Sequence, residues 1–240
     1  MISLEEIKSC LVNKKRFWVV FSGDSITSSE WVHPNWREIV EYVLKEEVKK
    51  FMKEDWKTSG WGIRTFNFAY NGATTKDILD KVDDITSVKP DLFILMIGGN
   101  DPVKEITKEE HKENIEKIKQ MIKKAPTKFV FLTDNKPWNK KASERYRPYV
   151  EIDKEIDMKD GQFINLFEIS ERFPSEKIYT FKSEENLIEG IKEGEVDYWH
   201  PNQLGNAYIA KIILEKVFLI KFDPEKYIKD TQRGEKYPGY

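Results

Sequence analysis

Short apolar runs alternate with longer amphipathic stretches along the chain. The apolar runs are rich in β-branched and aromatic residues and contain few charges, which is typical of parallel strands covered on both faces. They predict five strands, at residues 16–22, 64–69, 91–97, 128–133 and 162–166. The amphipathic stretches predict helices at residues 35–53, 75–85, 108–124, 142–157 and 203–219. In the third of these, Ile115, Ile118 and Ile122 follow the three-to-four spacing of a buried stripe.

The order of these elements predicts an α/β fold. Strands that alternate with helices imply right-handed crossovers and a three-layer α/β/α sandwich around a parallel sheet. The sequence contains no internal repeat and no low-complexity linker, so we expect one domain over residues 1–240. The stretch 135–195 is less regular, with aromatic residues among charges. It has two interpretations, surface decoration or a lid and specificity region, and the sequence favours neither.

Composition and charge exclude several classes of function. The 40 basic and 42 acidic residues are interspersed and give a formal net charge of −2, which predicts no nucleic-acid partner and no membrane-seeking basic patch. Cys10 is the only cysteine, so neither an intramolecular disulfide nor a cysteine-based metal site can form. The N-terminus is acidic where a secretory signal would be basic, and every apolar run is too short for a membrane span. We therefore expect a cytoplasmic protein, with its oligomeric state left open.

Two polar segments follow the first two predicted strands, where ligands bind in sheets of this kind. The first, at 21–27, contains Gly23, Asp24 and Ser25; its glycine permits a tight turn that would present the serine at the sheet's carboxyl edge. By itself, Gly-Asp-Ser is more often an ordinary turn or helix cap than a catalytic motif. The second, at 70–75, contains Gly72, which lets a backbone N–H approach a ligand closely, although a plain strand-to-helix turn explains it as well.

Two further segments add hydrogen-bond donors and a base. The segment 97–101 ends the third strand and contains Asn100, whose side-chain N–H groups can stabilise the oxyanion of a tetrahedral intermediate. The segment 197–202 precedes the last helix and places Asp197 three residues before His200. The carboxylate can accept a hydrogen bond from one ring nitrogen while the other takes a proton from serine. A lone histidine is more often structural, but one with a local carboxylate and a serine partner indicates nucleophilic catalysis.

These four segments resemble blocks I, II, III and V of the SGNH (GDSL-type) hydrolase superfamily, in the same order. Ile26 stands in place of the leucine of the GDSL motif, and Ala73 in place of a frequently acidic residue. The resemblance implies the flavodoxin-like SGNH hydrolase fold, with a five-stranded parallel sheet and no metal or organic cofactor. The residues that give the family its name correspond here to Ser25, Gly72, Asn100 and His200.

The resemblance also implies a role for each matched residue. Ser25 would attack an acyl carbonyl, His200 would remove its proton, and Asp197 would orient His200. The backbone N–H groups of Ser25 and Gly72, with the Asn100 side chain, would form the oxyanion hole. The implied reaction is hydrolysis of an acyl ester. We expect a short acyl chain, because no long apolar lid segment is visible in the sequence. Carbohydrate O-acetyl esters are one candidate substrate class. The alternatives are a lysophospholipase or thioesterase-type hydrolase, and a non-catalytic carbohydrate-binding module on the same fold.

The sequence contains a second candidate for the base. Residues 30–35 repeat the carboxylate-x-x-His-Pro-Asn pattern of 197–202, so His33 matches His200 in its local chemistry. The family's catalytic histidine lies near the C-terminus, before the last helix, which favours His200. The third histidine, His111, lies in a charged helical stretch and is expected at the solvated surface. Three scattered histidines do not suggest a zinc site.

Residues near the two His-Pro motifs are candidates for substrate binding. Trp31 and Trp199 lie close to His33 and His200, and aromatic faces beside an ester can stack on a sugar ring or line an acyl pocket. Core packing is the alternative interpretation of each tryptophan, because large aromatic side chains are highly buried on average. The candidate substrate-binding residues are Asp24, Trp31, His33 and Trp199.

Overall fold

The fold is built on five parallel strands, seen in a computed structural model that describes residues 1–53, 56–184, 188 and 190–240. The strand order is β2-β1-β3-β4-β5, the flavodoxin-like order. The predicted parallel sheet is confirmed, and each strand lies within two residues of its predicted bounds. The strands are β1 (Phe17–Gly23), β2 (Ile63–Asn67), β3 (Leu92–Met96), β4 (Lys128–Leu132) and β5 (Gln162–Ile164).

Helices cover both faces of this sheet. All five predicted helices are present, although the one predicted at 75–85 is divided in two at Lys81. In the described part of the chain, none of the helices has the length and apolar character needed to cross a bilayer. The helices are α1 (Leu4–Lys14), α2 (Trp36–Phe51), α3 (Trp56–Gly62), α4 (Thr75–Asp80), α5 (Val82–Ser87), α6 (Lys108–Ile122), α7 (Lys140–Asp153), α8 (Leu166–Ile169), α9 (Ser175–Ile178), α10 (Gln203–Val217) and α11 (Pro224–Gln232).

Alternate residues of the central strands pack into two separate cores. In β3, Leu92 and Ile94 belong to the core shared with α2 and α10, whereas Phe93 and Leu95 belong to the core shared with α5 and α6. Burying one such side chain stabilises the fold by about 1.5–3 kcal/mol. Because both faces are covered, the strands appear in the sequence as continuous apolar runs. The sheet is therefore a rigid platform, and the loops at its carboxyl edge are held from both sides.

The stretch 135–195 contains more regular structure than its sequence indicated. It includes α7, β5, α8 and α9, while its residues 185–187 and 189 lie outside the described part of the chain. Asn139 caps α7 by accepting a hydrogen bond from the Ala142 N–H. Trp138, just before this cap, stacks on Tyr179 with ring centroids 6.1 Å apart. The proposed role of this stretch as a lid or specificity region stays a prediction.

Candidate active site

A cavity of about 280 Å³ opens at the carboxyl edge of the sheet, among the loops that follow β1 to β4. Half of the residues that line it are already candidates from their sequence pattern. These are Asp24, Ser25, Trp31, Gly72, Asn100, Trp199 and His200. The others were not named as site residues from the sequence, although three of them lie in the candidate segments. They are Ile26, Asn71 and Gly99 of those segments, with Val103, Lys104, Asp134 and Ile188.

A serine, a histidine and an aspartate form a continuous hydrogen-bonded row at this cavity. Ser25 Oγ lies 2.8 Å from Nε2 of His200, and Nδ1 of His200 lies 2.7 Å from Oδ2 of Asp197. Asp197 and His200 are buried, whereas Ser25 is partly exposed on the cavity wall. When Nδ1–H donates to Asp197, Nε2 is left to accept the hydrogen bond of the Ser25 hydroxyl. The arrangement can therefore remove a proton from Ser25.

The loop before α10 fixes the aspartate and the histidine locally. The second carboxylate oxygen of Asp197, Oδ1, accepts hydrogen bonds from the backbone N–H groups of Trp199 at 2.9 Å and His200 at 3.1 Å. Asn202 then caps α10, which begins at Gln203. The loop thus holds His200 directly in front of the helix, with Pro201 just outside the first turn.

The turn after β1 presents Ser25 to the cavity. The Asp24 carbonyl accepts hydrogen bonds from the N–H groups of Thr27 at 3.0 Å and Ser28 at 2.9 Å. Gly23 has a φ of 155°, and a Cβ at this position would collide with the carbonyl oxygen of Met96 in the neighbouring strand β3. The close approach of β1 and β3 therefore requires glycine immediately before the Asp24–Ser25 turn.

Three N–H donors lie at the cavity wall near Ser25. In the part of the chain that the structure describes, the backbone N–H groups of Ser25 and Gly72 have no hydrogen-bond acceptor. The third donor, Nδ2 of Asn100, donates to the Ala73 carbonyl at 3.0 Å and to Oδ2 of Asp24 at 3.2 Å. Thr74 caps α4 immediately afterwards, as expected for this turn. Donors of these kinds can stabilise a developing negative charge on a bound carbonyl oxygen.

Trp31 covers one face of the histidine. Its ring is stacked on the His200 ring with centroids 4.0 Å apart and an interplanar angle of 3°. The Trp31 indole N–H donates to Oδ1 of Asn71 at 2.7 Å, and the same oxygen accepts a hydrogen bond from Ser28 Oγ at 3.2 Å. Trp31 is thus held in place by a polar contact while its apolar face contacts His200. Trp199 also lines the cavity.

His33, the second candidate for the base, lies outside the cavity. Its side chain is 79% exposed, and Nδ1 lies 2.9 Å from Oε2 of Glu38 in α2. The structure therefore brings His200, and not His33, to Ser25. Although the two His-Pro segments are alike in sequence, the first leads away from the sheet edge into α2. Because His33 does not line the cavity, we propose it neither as the base nor as a substrate-binding residue.

The expectation that His111 is solvated is wrong, because its side chain is fully buried. Nδ1 lies 2.8 Å from Oδ2 of Asp101, and Nε2 lies 2.9 Å from Oδ1 of Asp153. Burial lowers the pKa of His111, but the hydrogen bonds to Asp101 and Asp153 outweigh it and raise the pKa to about 9. Burial raises the pKa of Asp153 by more than the His111 hydrogen bond lowers it. Because most of the residues around His111 in α6 are charged, the sequence did not indicate that its side chain points into the protein.

Asp134 is a cavity residue that was not predicted from the sequence. It lies two residues after the end of β4, and its Oδ2 accepts a hydrogen bond from the Gly99 N–H. A Cβ on Gly99 would lie 2.8 Å from this oxygen, which accounts for glycine at that position. Burial raises the pKa of Asp134 to about 6 and that of the adjacent Asp24 well above its usual range. Polar residues begin where β4 ends, at the same edge of the sheet as the other candidate segments. This pattern could have indicated Asp134 from the sequence.

A match to a known family identifies the family of the chain. The model of the GDSL-like lipase/acylhydrolase family matches residues 19–213, a range that includes Ser25, Gly72, Asn100, Asp197 and His200. The chain belongs to the GDSL-like lipase/acylhydrolase family. The resemblance to SGNH hydrolases is thereby confirmed, and this acylhydrolase is a carboxylic ester hydrolase.

Solved structures show the same fold. Axe2, an acetylxylan esterase from Geobacillus stearothermophilus, is 18% identical to this acylhydrolase, with a TM-score of 0.59 over 83% of this chain and 93% of Axe2. A tryptophan variant of Axe2 gives 17% identity and a TM-score of 0.63 over 83% and 94% of the two chains. TesA is 14% identical, with a TM-score of 0.55 over 83% of this chain and 97% of TesA. No curated protein matches the sequence significantly.

Proposed function

We propose that the protein hydrolyses short-chain acyl esters through an acyl-enzyme on Ser25. The observation that carries this proposal is the hydrogen-bonded row from Ser25 through His200 to Asp197 at the wall of a cavity. Such a row is the arrangement that activates a serine hydroxyl as a nucleophile. Solved structures of Axe2 include variants of a serine, an aspartate and a histidine that are described as catalytic mutants of that enzyme.

In the proposed reaction, Ser25 Oγ bonds to the carbonyl carbon of the ester while its proton passes to Nε2 of His200. Asp197 holds the ring in the required tautomer and stabilises the imidazolium. The tetrahedral intermediate then releases the alcohol, which takes the proton from His200, and leaves the acyl group on Ser25. Water, deprotonated by the same histidine, attacks the acyl carbon. The Ser25–acyl bond then breaks to give the acid, while Ser25 Oγ takes the proton back from His200.

The proposed oxyanion hole consists of the Ser25 and Gly72 backbone N–H groups and the Asn100 side chain. One donor of this kind is typically worth about 3–4 kcal/mol of transition-state stabilisation. Two of the three donors are unengaged within the described residues, whereas both N–H bonds of Asn100 have acceptors. The hydrogen bond from Asn100 to Asp24 is longer and weaker than the one to the Ala73 carbonyl. In the proposed reaction the oxyanion replaces Asp24 as the acceptor.

The size and lining of the cavity support a short acyl group and a polar alcohol. A volume of about 280 Å³ is at the small end for ligand sites and suits an acetyl group better than a fatty acyl chain. Trp31 and Trp199 offer aromatic faces to a sugar ring, and Asn71 and Lys104 offer polar groups at the wall. The named activity of Axe2, an acetylxylan esterase, supports a carbohydrate O-acetyl ester as the substrate class.

The first experiment tests the nucleophile. We expect Ser25→Ala to lose hydrolysis of a short-chain nitrophenyl ester by roughly 10⁶-fold, by analogy with triad knockouts. Ser29→Ala is the matched control, because Ser29 is exposed in the same loop and should keep wild-type turnover. Retention of wild-type turnover by Ser25→Ala would reject the proposal.

The second experiment tests the acyl group. Across nitrophenyl esters from acetyl to decanoyl, we expect kcat/KM to fall by at least about tenfold, because longer chains exceed the cavity. Acetylated xylo-oligosaccharides should be hydrolysed as well. A kcat/KM that rises with chain length would instead support the lysophospholipase or thioesterase alternative. Failure to cleave any ester would support the non-catalytic binding module.

A further inference from the structure

Two aspartates that the proposed mechanism does not use contact Asn100 and its neighbour Gly99. Asp24 follows β1 and Asp134 follows β4, and both line the cavity. Asp24 accepts a hydrogen bond from Asn100 and Asp134 accepts one from the adjacent Gly99, which brings the two carboxyl groups close enough to interact. Both are almost fully buried, with 2% and 1% of their surface exposed. Two ionised carboxylates in contact without solvent repel each other strongly, so such a pair retains a proton.

The hydrogen bonds around the pair show where a proton is needed. Oδ1 of Asp24 accepts from the Ile26 N–H at 3.0 Å, and Oδ2 of Asp24 accepts from Asn100 at 3.2 Å. Oδ2 of Asp134 accepts from the Gly99 N–H. Among the described residues, Oδ1 of Asp134 is buried without any donor. Buried polar atoms are rarely left unpaired, and a proton on the neighbouring Asp24 would supply such a donor.

The surrounding charges favour Asp24 as the protonated partner. Burial, followed by the negative charge of Asp134, raises the pKa of Asp24. Burial also raises the pKa of Asp134, while the Gly99 N–H and a hydrogen bond from Asp24 lower it. The other ionisable groups that face the pair are Asp101 after β3, His111 of α6, Tyr146 of α7, and His200 and Lys104 at the cavity.

We propose that Asp24 and Asp134 share one proton, and that the neutral Asp24 is a positioning residue for Asn100. A neutral carboxyl group is a weaker acceptor than a carboxylate, so Asn100 can turn one N–H to the oxyanion. An ionised Asp24 would hold that N–H and repel the negative charge of the tetrahedral intermediate. This inference rests on the proposed function, in which Asn100 is an oxyanion donor.

The shared proton makes catalysis depend on pH. As the pH rises and the pair loses its proton, both carboxylates are charged beside the oxyanion site. Because the charge opposes the transition state more than the bound ester, kcat falls while KM changes little. A fall in kcat at low pH has a different cause, because the general base, His200, must be unprotonated to accept the proton of Ser25.

Asp134→Asn separates this role from a structural one. The amide introduced by this substitution can still accept from the Gly99 N–H through its oxygen, but its NH₂ group donates to Asp24 and therefore holds Asp24 as the carboxylate. We expect kcat on the acetyl ester to fall by about tenfold with KM within about twofold, because one oxyanion donor is weakened. The alkaline fall in kcat should also disappear. Glu105→Gln, which removes an exposed carboxylate near the cavity, should show the wild-type profile.

Infrared difference spectroscopy provides a reading that does not depend on turnover. At neutral pH the wild type should show the carbonyl band of a protonated carboxyl group, and Asp134→Asn and Asp24→Asn should both lack it. A wild type without this band, or an Asp134→Asn variant with the wild-type kcat and alkaline limb, would overturn the proposal. Loss of the proposed esterase function would show separately, as absent turnover with the band intact.

Discussion

At the scale of single residues, local sequence identified the reactive groups but could not rank equivalent ones. Ser25 and Asn100 follow predicted strands, so the strand-end rule brings them to one edge of the sheet. His200 precedes the last predicted helix instead, and its place at this edge followed from the family resemblance. His33 has the same local pattern as His200. Chain position favours His200, and the structure brings only His200 into contact with Ser25. Asp134 was missed because its contribution depends on contact with Asp24, which lies on a distant part of the chain.

Trp31 provides a residue-scale prediction. Its ring covers the His200 face at 4.0 Å, and an aromatic face stabilises an adjacent cation by about 0.5–2 kcal/mol. Since the imidazolium forms only during the reaction, Trp31→Ala should lower kcat by about 2- to 30-fold in steady-state ester hydrolysis. Trp31→Phe keeps the stacking and should retain kcat within about threefold. An unchanged kcat with a raised KM in Trp31→Ala would show that Trp31 binds substrate instead.

At the scale of elements, a buried ionic cluster ties three helices to the loop after β3. Asp101 in this loop accepts a hydrogen bond from the Thr75 N–H at the start of α4, at 2.9 Å. It also contacts His111 of α6, which in turn contacts Asp153 of α7. Asn100 directly precedes Asp101, so the cluster also fixes the loop that carries the proposed oxyanion donor.

This cluster predicts a pH dependence of stability. The pKa of His111 is about 9 in the folded protein, against an ordinary value of 6.5, so protonation stabilises the folded state. That contribution is complete below about pH 6.5 and is lost as the pH rises towards 9. It amounts to at most about 3 kcal/mol. Urea unfolding of the wild type should therefore show a free energy of unfolding that falls across this range.

Two variants separate His111 from the other titrating groups. His33→Asn changes an exposed histidine and should keep the slope of the wild type between pH 6.5 and 9. His111→Asn should be less stable at low pH and should lose most of this slope. An equal slope in His111→Asn and the wild type would show that other groups cause the pH dependence.

At the scale of the whole molecule, the central sheet was easier to predict from the sequence than the segments around it. Continuous apolar runs located the three central strands because both of their faces are buried. The edge strands β2 and β5 are only partly buried, and their shorter apolar pattern still located them. The helices α1 and α11 were not predicted, since each buries only a few residues of a polar sequence. The sequence left the stretch 135–195 with two interpretations, and Ile188 of this stretch lines the cavity, as a specificity region would require.

The parallel topology also explains how a site can form from residues that are far apart in sequence. Ser25 and His200 are separated by 175 positions, yet their side chains are in hydrogen-bond contact. The proposed function therefore depends on one claim, that this contact makes Ser25 the nucleophile.

Covalent labelling tests that claim most directly. After reaction with a fluorophosphonate probe, peptide mass spectrometry locates the adduct, which forms only on an activated serine. We expect a single adduct on Ser25, formed at a rate that His200→Ala greatly reduces. An unlabelled protein, or an adduct on a different residue, would contradict the claim.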